Sequence, residues 1–268
     1  MTVRSDAGAE ARRRPPLGVF LAALLAAVAI GVMVTTHDLH APVAVPGGSM
    51  DVGLALLFLA GWMLMSTAMM LPTALPLVAL LERAGGSPCA LVGALAFLAV
   101  WFSLGPAIWL ASSTVAGLWG PETTEAALFR GAALIIAGVY QLSPLARRCL
   151  DACRRPFGFL ARHWGATGSR LSDAAAIGAA YGFSCVGCCA ALMVVMVLVG
   201  CTDLAWMLAL GLVMALQKHA PFGRRLVLPV GITLLAAGLA VVSGRPAGME
   251  GSSGLTIDSR LCTAGTSP

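Results

Sequence analysis

The chain has 268 residues, of which 59% are hydrophobic and only 11% charged. A soluble domain carries about 25% charged residues, so the composition excludes an ordinary soluble fold and indicates a polytopic membrane protein. The net charge of +5 reads as membrane topology, with no nucleic-acid partner implied.

Residues 1–16 are charged and contain Pro15 and Pro16, a loose basic tail by composition. Seven apolar runs follow, at 17–34, 52–81, 90–111, 126–142, 174–199, 204–216 and 226–242. A helix needs about 20 such residues to cross a bilayer, so the expected fold class is all-α. It is a polytopic transmembrane helix bundle of about seven helices, within one domain spanning 17–243. The first run resembles a signal peptide in its basic start, but it is long for one and no small-residue cleavage site follows, so it reads as a retained helix. Pro72 and Pro76 predict a kink in the second run. The sixth run is short. The stretch 147–170 is the longest polar connection, and its arginines suit anionic lipid heads. Residues 244–268 are rich in Gly, Ser and Thr and form a second loose tail.

Arginines set the orientation. With alternating helices, all but three of the 17 Lys and Arg fall on one side, the exceptions being Arg130, Arg245 and Arg260. Positive loops stay in the cytoplasm, which predicts N-terminus in, C-terminus out, and a multi-pass protein of the inner (plasma) membrane.

The fifth run contains CVGCCAALMVVM. On a helix, Cys185, Cys188, Cys189, Met193 and Met196 share one broad face. The cysteines lie near the middle of the run, and Gly182 and Gly187 permit a close helix neighbour. In the second run, Met65 and Met69 share a face, whereas Met63 and Met70 point more to the other side. Thiolates and thioethers favour Cu(I), and a thioether offers a ligand without burying a charge. Zinc would call for more cysteine or histidine, and no histidine lies within a predicted span. The metal-site expectation is therefore Cys185, Cys188, Cys189, Met193, Met65 and Met69, with Met70 and Met196 as weaker members. The cargo is Cu(I), or another soft metal ion. Packing is the competing reading, because free cysteine is a small hydrophobe and methionine fills gaps.

Other groups carry less. Cys149 and Cys153 read first as reduced thiols in a basic cytoplasmic segment, and second as a pair sharing an ion. His37 and His40, with Met50 beyond, read first as plain polar residues of an outer loop and second as an entry point for metal. Cys201 and Cys262 are both expected outside, where a disulfide is chemically permitted. Cys89 has no evident partner. Trp62, Trp101, Trp109, Trp119 and Pro106 look structural. Asp203 suits an N-cap, and Lys218 suits a helix C-terminus at the membrane interface.

WMLMSTAMMLP at 62–72, CLDACRRP at 149–156 and GFSCVGCCAALM at 182–193 occur in that order. With Trp206-Met207 and Lys218 they resemble the domain-of-unknown-function 2182 family, over about residues 52–225. That resemblance implies a metal-binding integral membrane protein of prokaryotes, without naming a substrate or reaction. The chain departs from the family pattern at Ala190 and Gln217. The Met65/Met69 pair is also similar to a short motif of eukaryotic high-affinity copper transporters.

The expected function is copper transport or delivery, with the lipid bilayer, a metal ion and either a membrane protein partner or a second copy as partners. Ions would enter by His37/His40 or Met50 and leave by Cys149/Cys153. The alternative is a non-metal membrane scaffold or accessory subunit. An enzyme is the weaker class, since no nucleophile–base pair or paired carboxylates fall in the spans. No Asp, Glu, Lys or Arg is expected at mid-span, which argues against a proton-coupled pump.

Overall fold

A computed structural model describes residues 52–118, 124–199 and 204–243, together with Val28. These residues form eight helices and no strand: α1 (Val52–Gly85), α2 (Ser87–Leu118), α3 (Thr124–Leu142), α4 (Pro144–Cys153), α5 (Phe157–His163), α6 (Arg170–Val199), α7 (Leu204–His219) and α8 (Gly223–Val242). The all-α expectation holds. Five of the helices, α1, α2, α3, α6 and α8, are long and apolar enough to cross a membrane. Their outward faces carry large apolar side chains, among them Leu91, Leu95, Ile136, Val139, Phe183 and Leu239. Run 17–34 and both tails lie outside the described residues, apart from Val28.

One expectation needs correction. The segment 147–170 is not a polar connection but holds α4 and α5. Ser143 starts α4, its hydroxyl accepting from the Ala146 amide at 3.2 Å with Pro144 in the first turn. That is a strong N-cap followed by a residue with no amide to satisfy. The run at 204–216 lies within α7, whose first described residue, Leu204, directly follows residues outside the description. Pro72 and Pro76 lie inside α1, which continues through both.

Helix α6 is the centre of the assembly. A Cβ at Gly178 would overlap the carbonyl oxygen of Gly93 in α2, and one at Gly182 would crowd Val100 and the Phe97 carbonyl. The two contacts ascend both helices in the same order, so α2 and α6 run parallel. Helices α1 and α2 form an antiparallel hairpin through Gly86, whose φ of +83° favours glycine. On the other side, Gly131 meets Gly238 and Gly138 meets Gly231, so α3 and α8 run antiparallel and very close. Small residues at crossings let backbones approach where apolar faces alone give no drive to associate.

The helices differ in length, and this sets where they end. The Tyr140 hydroxyl, near the end of α3, donates to the Gly187 carbonyl at 2.8 Å. Lys218, near the end of α7, reaches Cys185. Gly223, opening α8, abuts the Leu216 and Gln217 carbonyls. Thus α3, α7 and α8 all end or begin level with the middle of α6. Below that level α6 continues with the last turns of α1 and the first turns of α2. Asp173 closes this lower part, accepting from the Gly165 amide at 2.7 Å and the Thr167 amide at 2.9 Å.

Replacing Gly178 by Ala inserts a methyl group against the backbone of α2, and neither helix backbone can swing aside as a side chain would. The expected loss is about 2 kcal/mol or more, read as a lower midpoint in thermal unfolding of the detergent-solubilised chain.

Candidate metal centre

Small residues of α6 bring its cysteines into contact with three other elements. Gly187 leaves room for Cys149 of α4 and the Tyr140 hydroxyl. That close approach turns the end of α4 inward, and the Cys153 thiol comes to 3.7 Å from Cys188. Cys188 is 3.6 Å from Cys189 and donates to its own helix at the Cys185 carbonyl, 3.2 Å away. Cys185 is a side-chain neighbour of Cys153, Cys188 and Cys189. All four thiols are buried, with Cys185 fully enclosed.

One further group completes the pocket. The Lys218 ammonium is buried, 2.9 Å from the Cys185 sulfur and 3.2 Å from the Thr73 hydroxyl of α1. Lys218 is therefore not exposed at the end of its helix; its ionisable side chain turns into the bundle. The reason is local. Arg154 donates to the carbonyls of Gln217 at 2.7 Å and Lys218 at 3.2 Å. Its guanidinium satisfies the end of α7, the task expected of the lysine, and the lysine chain is free to turn inward.

Tyr181 ties the pocket together. Its hydroxyl donates to the Cys153 carbonyl at 3.1 Å and to the Thr73 carbonyl at 3.4 Å, linking α6, α4 and α1. Its ring packs on Phe97 and Phe159, with centroids 5.8 and 5.4 Å away. Beside it, the Gln141 amide donates to Gln217 at 3.3 Å, both side chains being buried.

The methionines occupy the same core. Met65, Met70, Met193 and Met196 are buried, and Met70 is fully enclosed rather than turned away as its helix position suggested. Met63 is the exposed one. Met69 is half-buried with its methyl against Gly211 of α7. Helices α1 and α6 do meet, through Tyr181 and Thr73. Cys149 is half-buried and Cys89 is not partnerless, since its thiol lies 3.6 Å from the Arg170 carbonyl. His37, His40, Met50, Cys201, Asp203 and Cys262 lie outside the described residues.

The thiol spacing suits a shared ion. Two sulfurs bound to one ion at about 2.3 Å stand about 3.8 Å apart in a tetrahedral site, close to the separations around Cys188. The cluster is nevertheless not a ready-made cation site. Among the described residues, no group of three or more His, Cys, Asp or Glu is arranged to hold a metal ion, and Cys185 is engaged by an ammonium.

The sequence marks Cys153 only as a secondary member, Lys218 only as a helix end within the family resemblance, and gives Thr73 and Tyr181 no ligand role. The available signal was a lysine ending an apolar helix, because an ionisable residue in such a segment is a functional candidate by default.

The fold and this cluster define a helical bundle with a thiol-rich core and an internal cation. Residues 59–241 match the family model described as PpoB2, copper chaperone. The match covers most of the chain, and the chain belongs to this family. The copper relation expected from the sulfur pattern is thereby supported at the level of the family. The match overlaps most of the stretch that resembles the domain-of-unknown-function 2182 family, without carrying that name. No curated protein matches the chain, and no solved structure does.

Two outcomes follow for the folded protein. Of the six described cysteines, Cys149 is expected to react first with a maleimide, because the others are buried; burial also pushes its thiol above the usual range, so its rate should reach half its maximum above pH ~8.5, where a free thiol is half ionised. Peptide mass spectrometry reads both. Tyr181→Phe removes a hydroxyl that serves two carbonyls and is expected to cost about 1–3 kcal/mol, measured as a lower unfolding midpoint with the helix content retained.

Proposed function

We propose that the chain is a membrane-embedded copper chaperone that holds Cu(I) in the thiol pocket and passes it to a partner protein. The ligands are drawn from Cys185, Cys188, Cys189 and Cys153, with Met65, Met69 and Met193 as thioether donors and Met70 and Met196 as further members. The observation that carries the reading is the chain of thiols from Cys153 through Cys188 to Cys189, on two helices, in a chain of the copper chaperone family. Soft sulfur ligands select Cu(I), and an enclosed pocket keeps water from the ion.

The same reading fixes a depth. Helices α3 and α8 have 19 and 20 residues, which at 1.5 Å per residue is about 30 Å, the thickness of the hydrocarbon layer. Their inner ends lie level with Cys185 and Gly187. We therefore put the thiols at the cytoplasmic boundary of the membrane and not at its midplane. Arg147, Arg148, Arg155, Arg224 and Arg225 surround that level, in accord with the N-in, C-out topology. Arg224 also bonds Asp151 of α4 at 2.6 Å, fastening α8 to α4. Delivery from such a pocket goes to a partner reached from the cytoplasmic side, past α4 and α5.

The test is the metal content of the detergent-purified chain, loaded with Cu(I) under reducing conditions and read by mass spectrometry. About one copper per chain is expected, lost in the Cys185/Cys188/Cys189→Ser variant and reduced in Cys153→Ser. Equal copper in wild type and the triple variant would sink the site and leave a scaffold held together by sulfur packing.

A further inference from the structure

Where α4 packs on α6, five thiols meet, and they differ in access. Cys153, Cys185, Cys188 and Cys189 are buried, whereas Cys149 is half-buried. Cys149 is nevertheless held against the helix that carries the other ligands. A Cβ on Gly187, the residue before Cys188, would stand 2.6 Å from the Cys149 sulfur. Cys149 and Cys153 are one turn apart on the side of α4 that meets the core, which puts their Cβ atoms about 5–6 Å from each other. Two sulfurs that each hold one ion at about 2.3 Å stand at most about 4.6 Å apart, so these two side chains can reach a common ion. Cys153 is thus a shared residue, 3.7 Å from Cys188 on its inner side and one turn from Cys149 on its outer side.

We propose that Cys149 and Cys153 form a second, outer site through which Cu(I) leaves the pocket, with Cys149 as the thiol that presents the ion to an acceptor. This rests on the copper reading above, and it divides holding from hand-off: the buried thiols retain the ion, and Cys149 is needed only for its passage. The step is a ligand exchange at a soft ion. An ion on Cys153 and Cys188 gains Cys149 as a third ligand and then loses Cys188. Cys149 gives up its proton as its bond to copper forms, and Cys188 takes one up as its bond breaks. Copper stays Cu(I), the two thiols together carry the same number of protons before and after, and no oxidant or reductant takes part. An acceptor ligand then binds the ion beside the half-buried Cys149 and draws it off, while Cys149 and Cys153 each regain a proton from solvent. Without Cys149 the ion can leave only from buried sulfurs, and its departure waits for α4 to lift from α6.

The closing experiment loads the detergent-purified full chain with Cu(I) under reducing conditions, measures copper per chain, and then follows transfer to excess bathocuproine disulfonate by its absorbance with Cu(I). Wild type is compared with Cys149→Ser, Cys149→Ala, Cys89→Ser and the Cys185/Cys188/Cys189→Ser variant. In wild type the transfer rate is expected to rise with chelator concentration, because the acceptor takes part in the exchange. Both Cys149 variants are expected to keep about one copper per chain and a Kd within about twofold of wild type, yet to transfer about tenfold more slowly or worse, at a rate that no longer depends on the chelator. Loading slows by the same factor, since an unchanged Kd fixes the ratio of the two rates. Cys89→Ser, which removes a buried thiol that lies against the Arg170 carbonyl, is expected to transfer as wild type does. Unchanged transfer in the Cys149 variants, an equal slowing in Cys89→Ser, or a weakened Kd in Cys149→Ser overturns the exit site while leaving the copper pocket standing. Copper absent from wild type, or retained in the triple serine variant, overturns the copper reading and this one with it, and shows at the loading step before any transfer is measured.

Discussion

Helix α6 occupies the centre because it carries no side chain where its neighbours cross it. Gly178 and Gly182 admit the backbone of α2, and Gly187 admits Cys149 and the Tyr140 hydroxyl from the opposite side. A methyl group at any of these points would have to displace backbone or a packed neighbour. The glycines therefore decide more than packing. By letting α2 close on one side and α4 on the other, they leave the cysteines of α6 turned toward the space between. The thiol pocket is a consequence of where the helices can touch.

That pocket combines groups that rarely share an apolar interior. Four thiols, a hydroxyl, a phenol and an ammonium lie together, three thiols and the phenol from α6 and the rest from α4, α1 and α7. Tyr181 ties the Cys153 and Thr73 carbonyls, and Arg154 caps the helix that carries Lys218. Each anchor releases another group for the pocket. If the arginine did not satisfy the end of α7, the lysine would be drawn to those carbonyls. If α4 did not fold back at Ser143, Cys153 would stand in a solvated connection. The family relation to copper chaperones gives this chemistry a purpose, with soft sulfur as the group suited to hold the ion.

On the membrane reading, unequal helix length matters as much as sulfur. Three long helices pass the level at which α3, α7 and α8 stop, and α4 and α5 fill the space below the short ones. A soft-metal pocket at that boundary is shielded from the lipid by the long helices and from the cytoplasm by only two short ones. Placement there also lowers the cost of the lysine, whose charge lies near the headgroup layer and not deep in hydrocarbon.

Much of this was legible in the residues themselves. The near-absence of charge along the long apolar runs dictated helices, because no other open structure satisfies its backbone in lipid. The sulfur face of α6 followed from helical spacing, and the copper relation from ligand softness. The hidden part lies where the contact partners are far apart in the chain. Arg147 and Arg148 made the segment after α3 look like a solvated loop, though Leu150 and Cys153 on its other face are buried. Met70 seemed turned away only because the direction of the core around α1 was unknown. Lys218 looked like an exposed helix-end lysine because nothing near it in the chain announced that an arginine 64 residues earlier would take its place at the end of α7. Local periodicity determines which face a residue occupies. Which face is inside, and which charge meets which sulfur, is decided only when helices from distant parts of the chain compete for the same small space.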